Sequence, residues 1–368
     1  MGYDRAVVIA RAVQLTRGLV RYRNPSALPD QLILFVTYVC NLACETCFYW
    51  ESLNSKRKEL TLDQWEKISR SLDEVSQVLI SGGEPFLRRD LDDILATFYR
   101  NNRTRQIHLP TNALLKDLTV ATLKRLLEKC PELQVTLGFS MDGLEETHDR
   151  IRGKKGSFKA VVETSRAVAE LQRDHPLLRT YVITTVCRQN YDQVEALARF
   201  VREHMPVDDF GFSPVRGNPK EPTIEAPTAA QWHDLAARME PVRRHYAERR
   251  FGGGLKTRML LSRAQYTHDV FEMVLEENRL PYQCKAGQVI GVIEPNGEVR
   301  LCELTPIVGD LREHDFDFRK VWFAPAAREM REKIVGCSCS HACFIGASLT
   351  QYPGQILKAY AGSVLSTT

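Results

Sequence analysis

Strands and helices alternate along the first 215 residues, and this alternation constrains the fold more than any other feature. Short apolar, β-prone runs recur with helical patterns between them. The runs are 32–37, 77–81, 106–111, 134–140, 180–186 and 210–214. Such alternation predicts a parallel sheet with right-handed crossovers. The repeat of about 31 residues matches that of an eight-unit barrel of about 250 residues. Six units therefore predict an α/β fold, a partial TIM-like (β/α)6 barrel that is open on one side.

The rest of the chain divides by composition. A proline-rich stretch follows the sixth run, then a polar helical pattern broken by Gly252–Gly254, then a compact region rich in cysteine. Asn296–Gly297 between β-prone runs predicts a hairpin there, with a helix over about 319–334. The expected segments are an N-terminal helical segment (1–30), the barrel (31–215), a linker and helical region (216–280), a small α+β domain (281–345) and a loose C-terminal tail (346–368).

Charge and hydropathy exclude several classes of protein. The 368 residues carry a net charge of +4, too small to indicate nucleic-acid binding. No apolar run is long enough for a transmembrane segment, and the N-terminus lacks a secretory signal, which favours a cytoplasmic protein. Five arginines are spread through residues 5–23. This pattern favours a surface helix packed on the domain over an anchor at a membrane surface.

Three cysteines follow the first predicted strand. Cys40, Cys44 and Cys47 have the spacing C-x3-C-x2-C, and loops at strand C-termini build the active sites of βα barrels. Three thiolates can hold a cubane [4Fe–4S] cluster and leave one iron open for a substrate. The alternative is a zinc knuckle, but zinc sites usually present four ligands as two pairs. The spacing therefore favours an iron–sulfur cluster.

Further polar and glycine residues lie at the ends of later strands. Glycine lets a backbone approach a ligand closely, and a carboxylate can bind ribose hydroxyls. An arginine can pair with the carboxylate of a cofactor, although a structural arginine is an equal alternative here. These candidates are Gly82, Gly83, Glu84 and Pro85 after the second strand, and Ser140, Asp142 and Arg152 after the fourth.

A second cysteine group lies near the C-terminus. Its members are Cys284, Cys302, Cys337, Cys339 and Cys343. A closed cluster needs four thiolates, so the sequence leaves open which of the last three is spare. A structural zinc that also uses His341 is the alternative. Ordinary burial explains the isolated Cys130 and Cys187 better than metal ligation does.

The cysteine triad after a first barrel strand resembles that of the radical S-adenosylmethionine (SAM) superfamily. The resemblance implies that the triad's cluster reduces bound SAM to a 5′-deoxyadenosyl radical. It also implies that Gly82-Gly83-Glu84-Pro85 binds the SAM amino group and that Ser140 and Asp142 lie near the ribose. Thr46 stands where the family usually has an aromatic residue whose backbone contacts adenine. Ala113 replaces a usual glycine after Thr111–Asn112.

The C-terminal cysteines resemble the SPASM/twitch extension of this superfamily, which carries auxiliary [4Fe–4S] clusters. A full SPASM module uses seven cysteines; five here imply one auxiliary cluster, as in the twitch form. Sulfatase-maturing relatives place a proton-accepting aspartate directly after the cysteine that matches Cys302. Glu303 is therefore a candidate general base, with a solvated glutamate as its alternative. A flavodoxin or ferredoxin is the expected electron donor.

Three functions remain open at this point. The first is hydrogen abstraction from an unactivated carbon, assisted by the auxiliary cluster, as in aminoglycoside-pathway dehydrogenases. The second is peptide crosslinking or epimerisation by a SPASM-type maturase. About 30 residues precede the first strand, too few for the winged-helix domain that often binds a leader peptide. The third is an iron–sulfur electron carrier that does not use SAM. A small molecule, a lipid or a peptide are all open as the substrate.

Overall fold

The computed structural model describes residues 27–365, with side chains described through residue 360. The N-terminal helical segment predicted for 1–30 thus lies almost wholly outside the described residues. Nine strands are present: β1 (Gln31–Phe35), β2 (Gln77–Ser81), β3 (Gln106–Thr111), β4 (Gln134–Ser140), β5 (Leu178–Val186), β6 (Asp209–Pro214), β7 (Ile290–Ile293), β8 (Glu298–Arg300) and β9 (Ile307–Asp310).

The helices of the described part flank this sheet and fill the C-terminal region. They are α1 (Leu62–Arg70), α2 (Leu91–Asn101), α3 (Lys116–Lys129), α4 (Glu145–Arg152), α5 (Ser157–Gln172), α6 (Val194–His204), α7 (Ala229–Arg238), α8 (Glu240–Phe251), α9 (Leu255–Glu277), α10 (Phe318–Trp322), α11 (Pro325–Ile334), α12 (Ala342–Leu349) and α13 (Pro353–Leu365). Among the described residues, no helix has the length and apolar composition needed to cross a bilayer.

One open sheet joins all nine strands in the order β6-β5-β4-β3-β2-β1-β7-β8-β9. Strands β1 to β6 pair in parallel in sequence order, and β7 pairs in parallel with the other edge of β1. The predicted partial barrel is confirmed. Because β1 has a parallel neighbour on each side, the loop that follows it lies at the carboxyl end of an interior strand of the sheet.

The C-terminal region extends this sheet rather than forming a separate one. The hairpin predicted at Asn296–Gly297 is confirmed, since β7 and β8 pair in antiparallel fashion around it. The helix expected over 319–334 is broken between α10 and α11, where Pro325 begins the second helix; proline favours a first helical turn. The prediction of a loose tail is wrong for residues 353–365. They form α13, which packs along α9 and accepts a hydrogen bond from Tyr266 at Gln355.

Candidate active site

The loop after β1 carries the first cysteine group, as the sequence predicted. Cys40, Cys44 and Cys47 are all partly exposed. Asn54 braces the start of the loop: its side-chain oxygen accepts from the Cys40 amide at 3.0 Å, and its nitrogen donates to the Cys40 carbonyl at 3.2 Å. Burial raises the pKa of Cys40 to about 12 and that of Cys47 to about 11. Three protonated thiols on one loop are a donor set for a metal that displaces the protons.

The two glycines after β2 press against this cysteine loop. A Cβ on Gly83 would lie 2.0 Å from the Val39 carbonyl oxygen, and one on Gly82 would lie 2.6 Å from the Thr37 oxygen. Gly82 also has a φ of +116°, which favours glycine. The Gly83 amide donates to the Thr37 carbonyl and the Glu84 amide to that of Val39, both at 2.8 Å. The glycines were expected to admit a ligand; in the structure they admit the backbone that leads into Cys40.

Glu84 ties the ends of β2 and β3 together. Its wholly buried carboxylate accepts from the Thr111 hydroxyl at 2.9 Å and from the Asn112 amide at 2.8 Å. Burial raises the pKa of Glu84 to about 7. The Asn112 side chain then donates to Asn41, on the cysteine loop, at 2.7 Å. Glu84 is therefore linked to the cysteine loop through Asn112.

Arg152 lies between the first cysteine group and a buried acid. Its guanidinium is 2.8 Å from the Asp142 carboxylate and 3.9 Å from the Cys44 sulfur. The other Asp142 oxygen accepts from the Thr185 amide at 2.9 Å. Asp142 was predicted to face a ribose, but it is fully buried and its oxygens are directed at Arg152 and Thr185. In this structure Asp142 orients Arg152, whose Nε is buried without a hydrogen-bond partner.

The remaining candidates for cofactor contact surround the same loop. Thr46 is buried on the loop itself, and Pro85 is buried at the start of a 3-10 turn, Pro85–Leu87. Ser140 is half-buried at the last position of β4. His148, on α4, accepts from the Asp142 amide at 3.2 Å through Nδ1, and its ring packs edge-on against Phe158.

The second cysteine group separates into four thiols and one. Burial raises the pKa of Cys302, and the nearby Glu303, Cys284 and Cys337 raise it further. The neighbouring Cys337 and Cys339 thiols interact, which lowers the pKa of Cys337 and raises that of Cys339. Cys302 thus neighbours Cys284, Cys337 and Cys339, and Cys337 neighbours both Cys284 and Cys339. Cys343 has Glu303 and Arg216 as charged neighbours and no cysteine among them, although both charges also act on Cys302.

Glu303 is part of a buried ionic cluster. Its carboxylate accepts from Arg216 at 3.1 Å and pairs closely with the Nε2 of His341. Burial by itself would raise the pKa of Glu303, but His341 and Arg216 lower it to about 2. Glu303, the candidate general base, is thus a paired carboxylate. His341, considered above as a zinc ligand, pairs with Glu303 through Nε2, and its buried Nδ1 has no hydrogen-bond partner.

Two bridges connect the cysteine regions, and the sequence analysis missed both. In the first, the Tyr49 hydroxyl donates to the buried Glu294 carboxylate at 2.5 Å, and Arg300 donates to the same carboxylate at 2.7 Å and to the Thr305 carbonyl at 2.6 Å. The Thr305 hydroxyl in turn hydrogen-bonds the backbone of Cys302.

In the second bridge, the Arg216 guanidinium lies 4.7 Å from the centroid of the Phe48 ring while pairing with Glu303. The signal in the sequence was the aromatic pair Phe48–Tyr49 directly after Cys47. Its partners, however, lie 168 or more residues away along the chain.

The residues present fit iron–sulfur clusters better than a single ion. Within residues 27–365, no three His, Cys, Asp or Glu side chains form the close group that one metal ion requires. A cubane has its thiolates on separate irons and does not need that closeness. At the first site, three thiols offer donors for a cluster, and Arg152, with its unpartnered Nε, offers a cation for an anionic group. At the second, four neighbouring thiols match a closed cluster.

Comparison with known proteins relates the first cysteine region and most of the barrel to a family. Residues 34–201 match the model of the Radical SAM superfamily. The chain is 31% identical to the PqqA peptide cyclase of Bradyrhizobium diazoefficiens over 170 residues, which are 45% of this chain and 42% of that protein. It is 26% identical to the antilisterial bacteriocin subtilosin biosynthesis protein AlbA of Bacillus subtilis over 330 residues, 83% of this chain and 64% of AlbA.

The fold is also similar to that of solved structures. SuiB of Streptococcus suis, in a crystal structure bound to S-adenosylmethionine, superposes with a TM-score of 0.60 at 19% identity, covering 89% of this chain and 73% of SuiB. The chain spans about half the length of the curated relatives it matches. The family match covers the end of β1, the cysteine loop and β2 to β5, so for this part of the chain the predicted resemblance to the radical SAM superfamily is confirmed.

Proposed function

We propose that this chain is a radical SAM enzyme that abstracts a hydrogen atom from an unactivated carbon of its substrate. The observation that carries the proposal is the three-cysteine loop at the carboxyl end of the interior strand β1, with the Arg152 guanidinium 3.9 Å from the Cys44 sulfur. A [4Fe–4S] cluster held by Cys40, Cys44 and Cys47 would supply the electron that cleaves SAM into methionine and a 5′-deoxyadenosyl radical. That electron comes from a reduced flavodoxin or ferredoxin.

The chain's own residues bind and orient the cofactor in this proposal. Arg152 supplies the positive charge for the SAM carboxylate and is held in place by Asp142 at 2.8 Å. Gly82 and Gly83 keep the loop close to the end of β2, where a larger residue would displace it. Glu84 holds that strand end in place by accepting a hydrogen bond from the Asn112 amide.

An auxiliary cluster belongs to the same proposal. Its four ligands would be Cys284, Cys302, Cys337 and Cys339, because Cys302 neighbours the other three thiols. Cys343, with Glu303 and Arg216 around it, would then be the spare cysteine. The ion-paired Glu303 would position Arg216 and His341 rather than remove a proton itself.

A peptide is the substrate class that we favour. The PqqA peptide cyclase is named for a peptide, and AlbA is named for the biosynthesis of a bacteriocin. Modification of a peptide side chain by hydrogen abstraction fits both names. An oxidation of a small molecule, with the auxiliary cluster accepting an electron, is the second candidate within the same chemistry.

Formation of 5′-deoxyadenosine tests the proposal. The anaerobically reconstituted and reduced protein, mixed with SAM, should release 5′-deoxyadenosine and methionine. Cys44→Ala should abolish this release, whereas Cys130→Ala, which changes a cysteine outside both groups, should retain it. Release of neither product by the wild-type protein would sink the proposal, as would an EPR signal of the reduced cluster that does not change when SAM is added.

The auxiliary cluster has its own test. Cys302→Ala should lose about four of about eight irons per chain while still cleaving SAM. Cys343→Ala should keep all of them. An unchanged iron content in Cys302→Ala would refute the auxiliary cluster, and loss of iron in Cys343→Ala would refute the assigned ligand set.

A further inference from the structure

One face of β5 and β6 is only half-buried, whereas the other face packs against helices. Phe212 lies on the packed face, where its ring centroid is 5.3 Å from that of Trp232 on α7. The half-buried face carries Tyr181, Ile183, Thr185, Gly211 and Ser213. Cys343 of the second cysteine group is an electrostatic neighbour of Tyr181. A substrate that lies on the half-buried face is therefore next to this cysteine group.

Tyr181 offers a hydrogen-bond donor on this face. Its ring lies across Gly138, the residue opposite it on β4, where a Cβ would be 2.8 Å from Tyr181 Cζ and 2.9 Å from the hydroxyl oxygen. The hydroxyl forms no hydrogen bond with another residue that the structure describes. Burial raises the pKa of Tyr181, so the hydroxyl keeps its proton. The glycine thus makes room for a phenol whose hydroxyl is available to a ligand.

Arg216, two residues after β6, offers a second donor beside the same cysteine. Its guanidinium donates to Glu303 at 3.1 Å and lies 4.7 Å from the centroid of the Phe48 ring. Its Nε is buried without a hydrogen-bond partner, although the side chain as a whole is 25% exposed. Arg216 and Tyr181 are both electrostatic neighbours of Cys343. Because Phe48 follows Cys47, the two donors lie between the first and the second cysteine group.

The positive charge of Arg216 is already compensated. The Glu303 side chain that pairs with it is only 3% exposed. The ionisable neighbours of Tyr181 are Cys343 and Asp209. Neither of them is a cation. A substrate carboxylate would therefore be buried here without a positive charge to pair with, which is unfavourable. An uncharged carbonyl oxygen needs only a hydrogen-bond donor, and both Tyr181 and Arg216 provide one.

We propose that Tyr181 and the Arg216–Glu303 pair form a substrate site that accepts the uncharged amide groups of a peptide and excludes carboxylates. The Tyr181 hydroxyl and the Arg216 guanidinium each donate a hydrogen bond to a carbonyl oxygen. Glu303 determines the preference, because it removes the net charge that would otherwise attract an anion. The inference rests on the proposed function, for which it specifies the charge of the substrate group that is bound.

Binding of two small probes to the SAM-loaded holoenzyme tests this inference. N-acetylglycine N-methylamide is a neutral peptide unit, and N-acetylglycine has nearly the same size but ends in a carboxylate. In the proposed function SAM occupies Arg152, so that arginine does not compete for the acid. Saturation-transfer NMR of the oxidised protein under anaerobic conditions measures the Kd of each probe. The amide should bind saturably, and the acid should bind at least about tenfold more weakly.

Three variants locate the contact. Tyr181→Phe removes only the hydroxyl and should weaken binding of the amide about fivefold, the effect of one lost hydrogen bond. Tyr99→Phe is the matched control, because Tyr99 is also half-buried but lies on α2, and binding should be unchanged. Glu303→Gln keeps the shape of the side chain but leaves the charge of Arg216 uncompensated. N-acetylglycine should therefore bind this variant about tenfold more tightly than it binds the wild type.

Several outcomes would overturn the inference. Binding of N-acetylglycine to the wild type as tightly as the amide would assign the site to an acidic small molecule. A lack of saturable amide binding would refute the site, as would equal losses in Tyr181→Phe and Tyr99→Phe. An unchanged affinity of Glu303→Gln for N-acetylglycine would refute the role of Glu303. The probes bind without reduction or cleavage of SAM, so these results and 5′-deoxyadenosine formation fail separately.

Discussion

Substitution of Glu294 by glutamine perturbs the bridge between the two cysteine regions at its centre. The Glu294 side chain is 4% exposed and accepts from Arg300 at 2.7 Å and from Tyr49 at 2.5 Å. Glutamine keeps the shape and an acceptor oxygen for Tyr49 but removes the charge. Arg300 is then left with its bond to the Thr305 carbonyl and no carboxylate.

The structure sets the magnitude of the expected loss. Removing one partner of a buried ion pair costs about 3–5 kcal/mol, because an uncompensated charge remains. Arg300 is 22% exposed, so solvent screens part of that charge and the lower end applies. We expect Glu294→Gln to lower the free energy of unfolding by about 3 kcal/mol. Tyr49→Phe removes one hydrogen bond to a charged group and should cost about 2 kcal/mol.

Urea denaturation under anaerobic conditions measures both losses. The matched control is Glu298→Gln on the same hairpin, where the carboxylate lies 3.5 Å from an Arg57 that is 52% exposed. Solvent screens the exposed Arg57, so the loss of this pair should stay below about 1 kcal/mol. The double variant Tyr49→Phe with Glu294→Gln should lose less than the sum of the single losses. A Glu294→Gln loss as small as that of the control would refute the reasoning.

Three further predictions concern the supports of the cysteine loop. Gly83→Ala places a Cβ 2.0 Å from the Val39 carbonyl oxygen and should lose about four irons per chain in iron analysis, whereas Gly346→Ala, with open space around it, should lose none. Ala113 is buried at a φ of +60°, so Ala113→Gly should cost less than about 1 kcal/mol in thermal unfolding, while Ala96→Gly within α2 should cost about 2 kcal/mol. Burial raises the pKa of Glu84 from 4.5 to about 7, so the folded protein binds a proton that the unfolded chain has released. The free energy of unfolding should therefore fall by about 3 kcal/mol between about pH 4.5 and pH 7, and Glu84→Gln should remove this slope.

The strands and helices of the barrel could be predicted because their signals are local. The apolar period that marks a strand or a helix is visible in residues close together in the sequence. All six predicted strands match β1 to β6 to within two residues. The break at Gly252–Gly254 and the hairpin at Asn296–Gly297 are local signals as well. The failure at α13 has the opposite cause. Its sequence contains two glycines, and its packing along α9 contributes stability that no local pattern reveals.

The cysteines of the site could be predicted from spacing, but the partners of the charged residues could not. Glu303 was singled out because it follows Cys302, and that position says nothing about Arg216, 87 residues earlier, or His341, 38 residues later. Asp142 was assigned to a ribose because acidic residues often bind one. Only the fold shows that the Asp142 carboxylate is paired with Arg152.

The two cysteine groups share one electrostatic arrangement, in which a buried acid is paired with an arginine. At the first, Asp142 holds Arg152 against Cys44; at the second, Glu303 holds Arg216 near Cys302, a proposed cluster ligand, as well as Cys343. A cluster ligated by thiolates is anionic, so a buried cation next to it is favourable, but an arginine buried alone would cost several kcal/mol. The carboxylate paired with each arginine offsets the cost of burying that arginine. At the first group, the guanidinium held in this way also contacts the Cys44 sulfur. A buried acid near a cysteine group is therefore better interpreted first as the anchor of an arginine than as a base.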